Sequence, residues 1–178
     1  MPPLSLMIKP VSSMCNMRCK YCFYADVTSH RETKSYGVMS TDTLDKLVRR
    51  AFTYAEGSVN FAFQGGEPTL AGLEFYKAVI ELQKKHQKPG VRIQNAIQTN
   101  GYLINEEWAR FFAQNHFLVG LSLDGPAEIH NLNRRDPAGR GTFNRVMQAV
   151  RLFDKYRVEY NIPVSYTHLR AHETEADL

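Results

Sequence analysis

Cysteine is scarce in this sequence: there are three among 178 residues, and all three fall between positions 15 and 22. An odd, clustered set makes a poor disulfide framework and points to a reducing, cytoplasmic setting. Long apolar runs are missing as well. None approaches the ~18 residues that a membrane span needs, and the opening "MPPLSLMIKP" has neither the basic region nor the long apolar centre of a signal peptide. A dominant charge is also lacking. The net charge is +4, and Lys46, Arg49, Arg50, Lys84 and Lys85 are spread over predicted helix faces. They read as solvated surface, so neither a nucleic-acid footprint nor a membrane partner is expected. What remains is ordinary: 43% hydrophobic and 22% charged residues suit one globular domain, and a chain this long buries roughly 70% of its unfolded surface.

Strand and helix patterns alternate along the chain. Strands are predicted at 4–11, a short apolar run, at 58–63, at 91–97, at 117–123, which is nearly all apolar, and at 158–162. Between the first two, Leu44, Leu47, Val48, Ala51, Phe52 and Ala55 recur at helical spacing; Ser40 or Thr41 can cap that helix and Gly57 can end it. Further helices are expected over 69–87, after Asn105 (with Trp108, Phe111 and Phe112) and after Thr142 as cap (with Val146, Ala149, Val150 and Phe153). Such βα alternation argues for a parallel sheet covered by helices, either doubly wound or part of a β/α barrel. A complete eight-unit barrel needs ~250 residues. The last fifteen residues, "VSYTHLRAHETEADL", break the pattern: Pro163 would remove a ladder donor, and the polar run beyond it has no apolar face. Residues 163–178 are expected to be a disordered or non-native tail, with the natural sequence stopping near Ile162.

The polar residues fall where ligand sites of parallel α/β folds lie, just after each strand. Cys15, Cys19 and Cys22 follow the first, Gln64-Gly65-Gly66-Glu67-Pro68 the second, Gln98-Thr99-Asn100-Gly101 the third, and Ser122 with Asp124-Gly125 the fourth. Three thiolates in C-x₃-C-x₂-C spacing can aim at a small iron–sulfur cluster and leave one iron open for an exogenous ligand. A Cys₃His zinc site using His30, a Cys19–Cys22 redox pair and inert buried thiols stay open beside that reading. Gly65 and Gly66 permit a close backbone approach to a ligand, and Glu67 can accept from a ligand ammonium; a plain βα turn is the alternative. Ser122 and Asp124 also fit ordinary turn chemistry. Arg134, Arg135 or Arg140 could hold a carboxylate in bidentate fashion, or simply form a basic surface loop.

C-x₃-C-x₂-C with Tyr21 before the third cysteine resembles the signature of radical S-adenosylmethionine enzymes, and "GGEP" strengthens the match. The blocks "SYG", "FAFQGGEPTLAGLEFY", "QTNG", "FLVGLSLDGPAEIHNLNRRD" and "TFNRV" are similar to the anaerobic sulfatase-maturating enzymes, over about residues 1–162. The resemblance implies a partial (β/α) barrel of the radical S-adenosylmethionine type, with about five βα units. It implies a [4Fe–4S] cluster on Cys15, Cys19 and Cys22 whose open iron chelates S-adenosylmethionine. The Tyr21 backbone would meet the adenine. Gly65, Gly66 and Glu67 would surround the methionine amino group, and Ser122 and Arg134 the ribose and carboxylate. Tyr24, Gln64, Gln98 and Asn100 are expected to face the substrate peptide. A 5′-deoxyadenosyl radical would then oxidise a sulfatase cysteine or serine to Cα-formylglycine, with electrons from a donor such as flavodoxin or ferredoxin. Family members carry a C-terminal half with auxiliary clusters and a carboxylate base. This sequence has neither, so the chain is expected to be a fragment unable to mature a sulfatase by itself.

Overall fold

The computed structural model describes residues 3–163; the predicted tail from 164 onward lies outside the described residues. Five strands, β1 (Leu4–Ile8), β2 (Ser58–Phe63), β3 (Arg92–Thr99), β4 (Phe117–Leu121) and β5 (Tyr160–Asn161), form one parallel sheet in chain order. The order decides the architecture. A doubly wound sheet reverses its strand order at a switch point, whereas strands laid down sequentially build the wall of a β/α barrel. The wall is open, since β1 and β5 each have a single neighbour among the described residues. The fold is therefore α/β, an incomplete barrel.

Six α-helices among the described residues accompany it: α1 (Phe23–Ser29), α2 (Thr41–Tyr54), α3 (Leu73–His86), α4 (Glu106–Gln114), α5 (Ala127–Asn133) and α6 (Phe143–Tyr156). Ser40 caps α2 by accepting from the Thr43 N–H at 3.2 Å, and Asn105 caps α4 by accepting from the Trp108 N–H at 3.1 Å. The helix expected over 69–87 is divided. A 3₁₀ turn (Pro68–Ala71) comes first, Gly72 then adopts φ 83°, and α3 begins after it. Thr142 does precede α6, yet its side chain makes no cap. The hydroxyl instead donates to the Arg134 carbonyl at 3.0 Å and meets His130 Nε2 at 3.0 Å. The fifth strand is two residues long rather than five.

The core lies between sheet and helices. Val59, Phe61 and Phe63 alternate inward along β2 and are fully buried. Phe63 packs edge-on against Tyr76 of α3 with ring centroids 5.2 Å apart, and Phe117 of β4 meets Phe112 of α4 at 5.4 Å. Burying each such side chain stabilises the fold by about 1.5–3 kcal/mol. The opposite face carries Asn60, Ala62 and Gln98, with Met7 and Leu118 exposed. The core thus fixes the helical side, and the loops after the strands meet at one rim.

Candidate functional site

At that rim lies a cavity of about 400 Å³. It is lined by Cys15, Cys19, Tyr21, Cys22 and Tyr24 from the first loop, Gln64, Gly65, Gly66 and Glu67 from the second, Gln98 and Asn100 from the third, and Ser122 and Arg134 beyond β4, whereas Asp124, Arg135 and Arg140 do not line it. A second cavity of about 280 Å³ shares all three cysteines and is bounded by Ser13, Met17 and Thr28.

The cysteine loop is held by its own backbone. Arg18 N donates to the Arg135 carbonyl at 2.7 Å and Lys20 N to the Asn133 carbonyl at 2.9 Å; Glu67 N donates to the Met14 carbonyl at 2.8 Å. Cys22 then starts α1, its carbonyl accepting from Ala25 N at 3.1 Å. Burial pushes the Cys15 thiol up to about 11, eased by the Met17 N–H, and raises Cys19 as well, with the Arg134 charge pulling back. A metal taken up here must therefore displace protons.

The glycines serve the loop before they serve any ligand. Gly66 has φ +58°, and a Cβ there would run into the Met14 carbonyl oxygen; a Cβ at Gly65, with φ +98°, would strike the Lys9 side chain. Only glycine lets the second loop close on the cysteine loop. Glu67 also differs from expectation. Its carboxylate is buried and accepts from Thr69 N at 3.0 Å, Thr69 Oγ1 at 2.6 Å, Thr99 Oγ1 at 2.7 Å and Asn100 N at 2.7 Å. It braces the loops after β2 and β3 to each other. Burial raises its pKa against these donors.

Other pairs tie strand end to strand end. Gln64 Nε2 donates to Tyr24 Oη at 3.0 Å, and Gln98 Nε2 to Ser122 Oγ at 3.1 Å. Gly120 makes room for Gln98, whose amide oxygen occupies the place of the missing Cβ. Asn100 Nδ2 donates to Asn16 Oδ1 at 2.8 Å. Tyr21 Oη donates to Asp124 Oδ2 at 2.5 Å; the same oxygen lies 3.0 Å from Arg134 Nε, and the guanidinium sits 5.3 Å from the centre of the Tyr21 ring. Asn16, Thr69 and His130 carry no role in the sequence reading, and Thr99 enters it only as part of the run after the third strand. They are single polar residues whose partners lie in other loops, so no spacing reveals them.

Does this donor set fit a cluster? Two buried donors lack a hydrogen-bond partner among the described residues, Asn16 Nδ2 and Arg134 Nε. Arg134 Nε is close enough to Asp124 for an ion pair but is not aligned for a bond. Both suit an anionic guest. Among the described residues no three of His, Cys, Asp and Glu converge tightly enough for one metal ion. All three thiols border the same cavity, and thiolates are the ligands that iron–sulfur clusters take.

Fold and site together place three thiols in one cavity at the C-terminal rim of a parallel α/β barrel wall. A family model for the radical SAM superfamily matches residues 10–177, and the chain belongs to that superfamily. It is 57% identical over 162 residues to the cysteine-type anaerobic sulfatase-maturating enzyme of Clostridium perfringens (strain ATCC 13124), covering 91% of this chain and 44% of that protein. To the serine-type enzyme of Bacteroides thetaiotaomicron it is 41% identical over 160 residues, covering 89% and 38%. The solved structure of native anSMEcpe with bound AdoMet and Kp18Cys peptide superposes with a TM-score of 0.84 at 56% identity, over 90% of this chain and 43% of that one. The chain thus spans less than half the length of these relatives. No helix among the described residues is long and apolar enough to cross a membrane.

Proposed function

We propose that this chain carries the cluster- and S-adenosylmethionine-binding part of an anaerobic sulfatase-maturating oxidoreductase, with residues 1–162 as its radical SAM core. The observation that carries the reading is the shared cavity: three thiols on one loop, with the ends of three further strands gathered around them. Cys15, Cys19 and Cys22 hold a [4Fe–4S] cluster. When bound, the cluster and S-adenosylmethionine supply a one-electron cleavage that yields a hydrogen-abstracting radical.

The chain's own residues bind and orient. The Tyr21 backbone borders the adenine. Gly65 and Gly66, fixed on the cysteine loop, present the second loop's backbone to the methionine end. Glu67 acts by keeping that loop rigid. Ser122 and Arg134 address the ribose and carboxylate, and Arg134 is pre-positioned by Asp124 and Tyr21. Tyr24, Gln64 and Gln98 line the side left for a peptide; Gln64 donates to Tyr24 and Gln98 to Ser122, which holds them in place before it arrives. Higher identity to cysteine-type than to serine-type relatives supports a sulfatase cysteine as the residue converted to Cα-formylglycine. The proposed setting is cytoplasmic, with a flavodoxin or ferredoxin as electron donor and neither nucleic acid nor membrane as partner.

Anaerobic reconstitution with iron and sulfide tests the reading. The expected result is a brown protein whose EPR spectrum changes on adding S-adenosylmethionine, and no such signal when Cys15, Cys19 or Cys22 is replaced by serine. A colourless protein that takes up zinc and no iron overturns it.

A further inference from the structure

The geometry points to Asn100 and Asn16 as an amide clasp on the Cys15 sulfur that sets the reduction potential of the cluster; this rests on the reading of the three cysteines as a cluster site. Asn100 is only 7% exposed and is held on every side. Its N–H donates to Glu67 Oε2 at 2.7 Å, and its Oδ1 accepts from Tyr102 N at 2.9 Å. Because an N–H fixes the oxygen end, the amide orientation is determined, and Nδ2 must face the cysteine loop. There it donates to Asn16 Oδ1 at 2.8 Å and lies 3.9 Å from Cys15 Sγ. With Oδ1 of Asn16 occupied, its own Nδ2 is left buried and unpartnered. The Met17 N–H reaches the same sulfur at 3.4 Å.

Cys15 Sγ therefore faces two N–H donors, with a third, unspent one on the adjacent residue. A neutral thiol is a weak acceptor and has little use for them. A metal-bound thiolate, or a sulfide next to it, does. Donors aimed at cluster sulfurs favour the more negative, reduced form and so raise the potential. This placement also separates Asn100 from the substrate-facing role expected from the sequence, because both ends of its amide are engaged inside the protein.

The test is an EPR-monitored redox titration of the reconstituted chain. Asn100→Asp keeps an acceptor for Tyr102 N but loses the donor; Asn100→Leu loses it without adding charge. Both variants are expected to retain iron and to shift the reduction equilibrium against the reduced cluster by about tenfold, or about 59 mV for a one-electron couple. Asn16→Ser leaves the backbone bonds of Asn100 intact and is expected to shift the equilibrium in the same direction by less. It carries the test if the Asn100 variants do not fold. Variants that lose iron while their remaining cluster titrates at the wild-type potential show a merely structural role and overturn the inference. A wild-type chain that binds no cluster overturns the reading beneath it as well.

Discussion

The Tyr21 hydroxyl donates to Asp124 Oδ2 at 2.5 Å and so joins the middle of the cysteine loop to the end of β4, 103 residues later in the chain. Asp124 also faces the buried Arg134 at 3.0 Å. Tyr21→Phe removes one hydrogen bond and leaves that ion pair, so a loss of about 1 kcal/mol in stability is expected. Asp124→Asn strands the Arg134 charge, and a loss of about 3–5 kcal/mol is expected. The midpoints of urea unfolding separate the two.

Glu67→Gln offers an NH₂ group to a carboxylate site surrounded by two N–H and two O–H donors. At least one buried donor loses its acceptor, so destabilisation by about 2–3 kcal/mol is expected. If Glu67 instead served only a ligand, thermal melting of the ligand-free protein would be unchanged.

At Gly66 an alanine meets backbone, which cannot swing away, in a left-handed conformation. At Gly120 it meets only the far end of the Gln98 side chain. Gly66→Ala is therefore expected to lose cluster uptake along with roughly 2–4 kcal/mol or more of stability. Gly120→Ala is expected to retain the cluster and lose only the Gln98–Ser122 bond, about 1 kcal/mol. Iron per chain and the melting temperature read both effects.

His130 is fully buried among Asp124, Arg134, Thr142 and Phe143, and burial followed by the Arg134 charge lowers its pKa to about 4 from the ordinary 6.5. The unfolded chain therefore takes up this proton first as the pH falls. The contribution is fully present above pH 6.5 and is lost between there and pH 4, by up to roughly 3 kcal/mol. His130→Gln should be less stable than wild type near neutrality and lose stability less steeply on acidification over that window. Equal slopes for the two proteins would show that His130 does not carry the dependence.

The sheet was legible in the sequence because β4 is an unbroken apolar run and β2 alternates buried Val59, Phe61 and Phe63 with smaller or polar residues, and α2, α4 and α6 present regular apolar faces. The site was legible because its polar residues recur just past those runs. Helices α1 and α5 were not: seven residues each, α1 buries no side chain and α5 only His130, so neither has an apolar period. The Thr142 cap failed because a hydroxyl with two tertiary partners is not free to serve its own helix. Glu67 and Gly66 were expected to meet a ligand, and the structure shows both fastening one loop to another. Spacing locates a loop, whereas what it touches depends on residues distant in the chain.

The backbone bonds from Arg18 and Lys20 to the 133–135 segment, and from Glu67 to Met14, fasten the cysteine loop through main chain alone. No side chain takes part in those bonds, so replacing a sulfur leaves every one of them available. Exchanging a thiol for a hydroxyl should therefore cost the loop its iron without unfastening it from its neighbours.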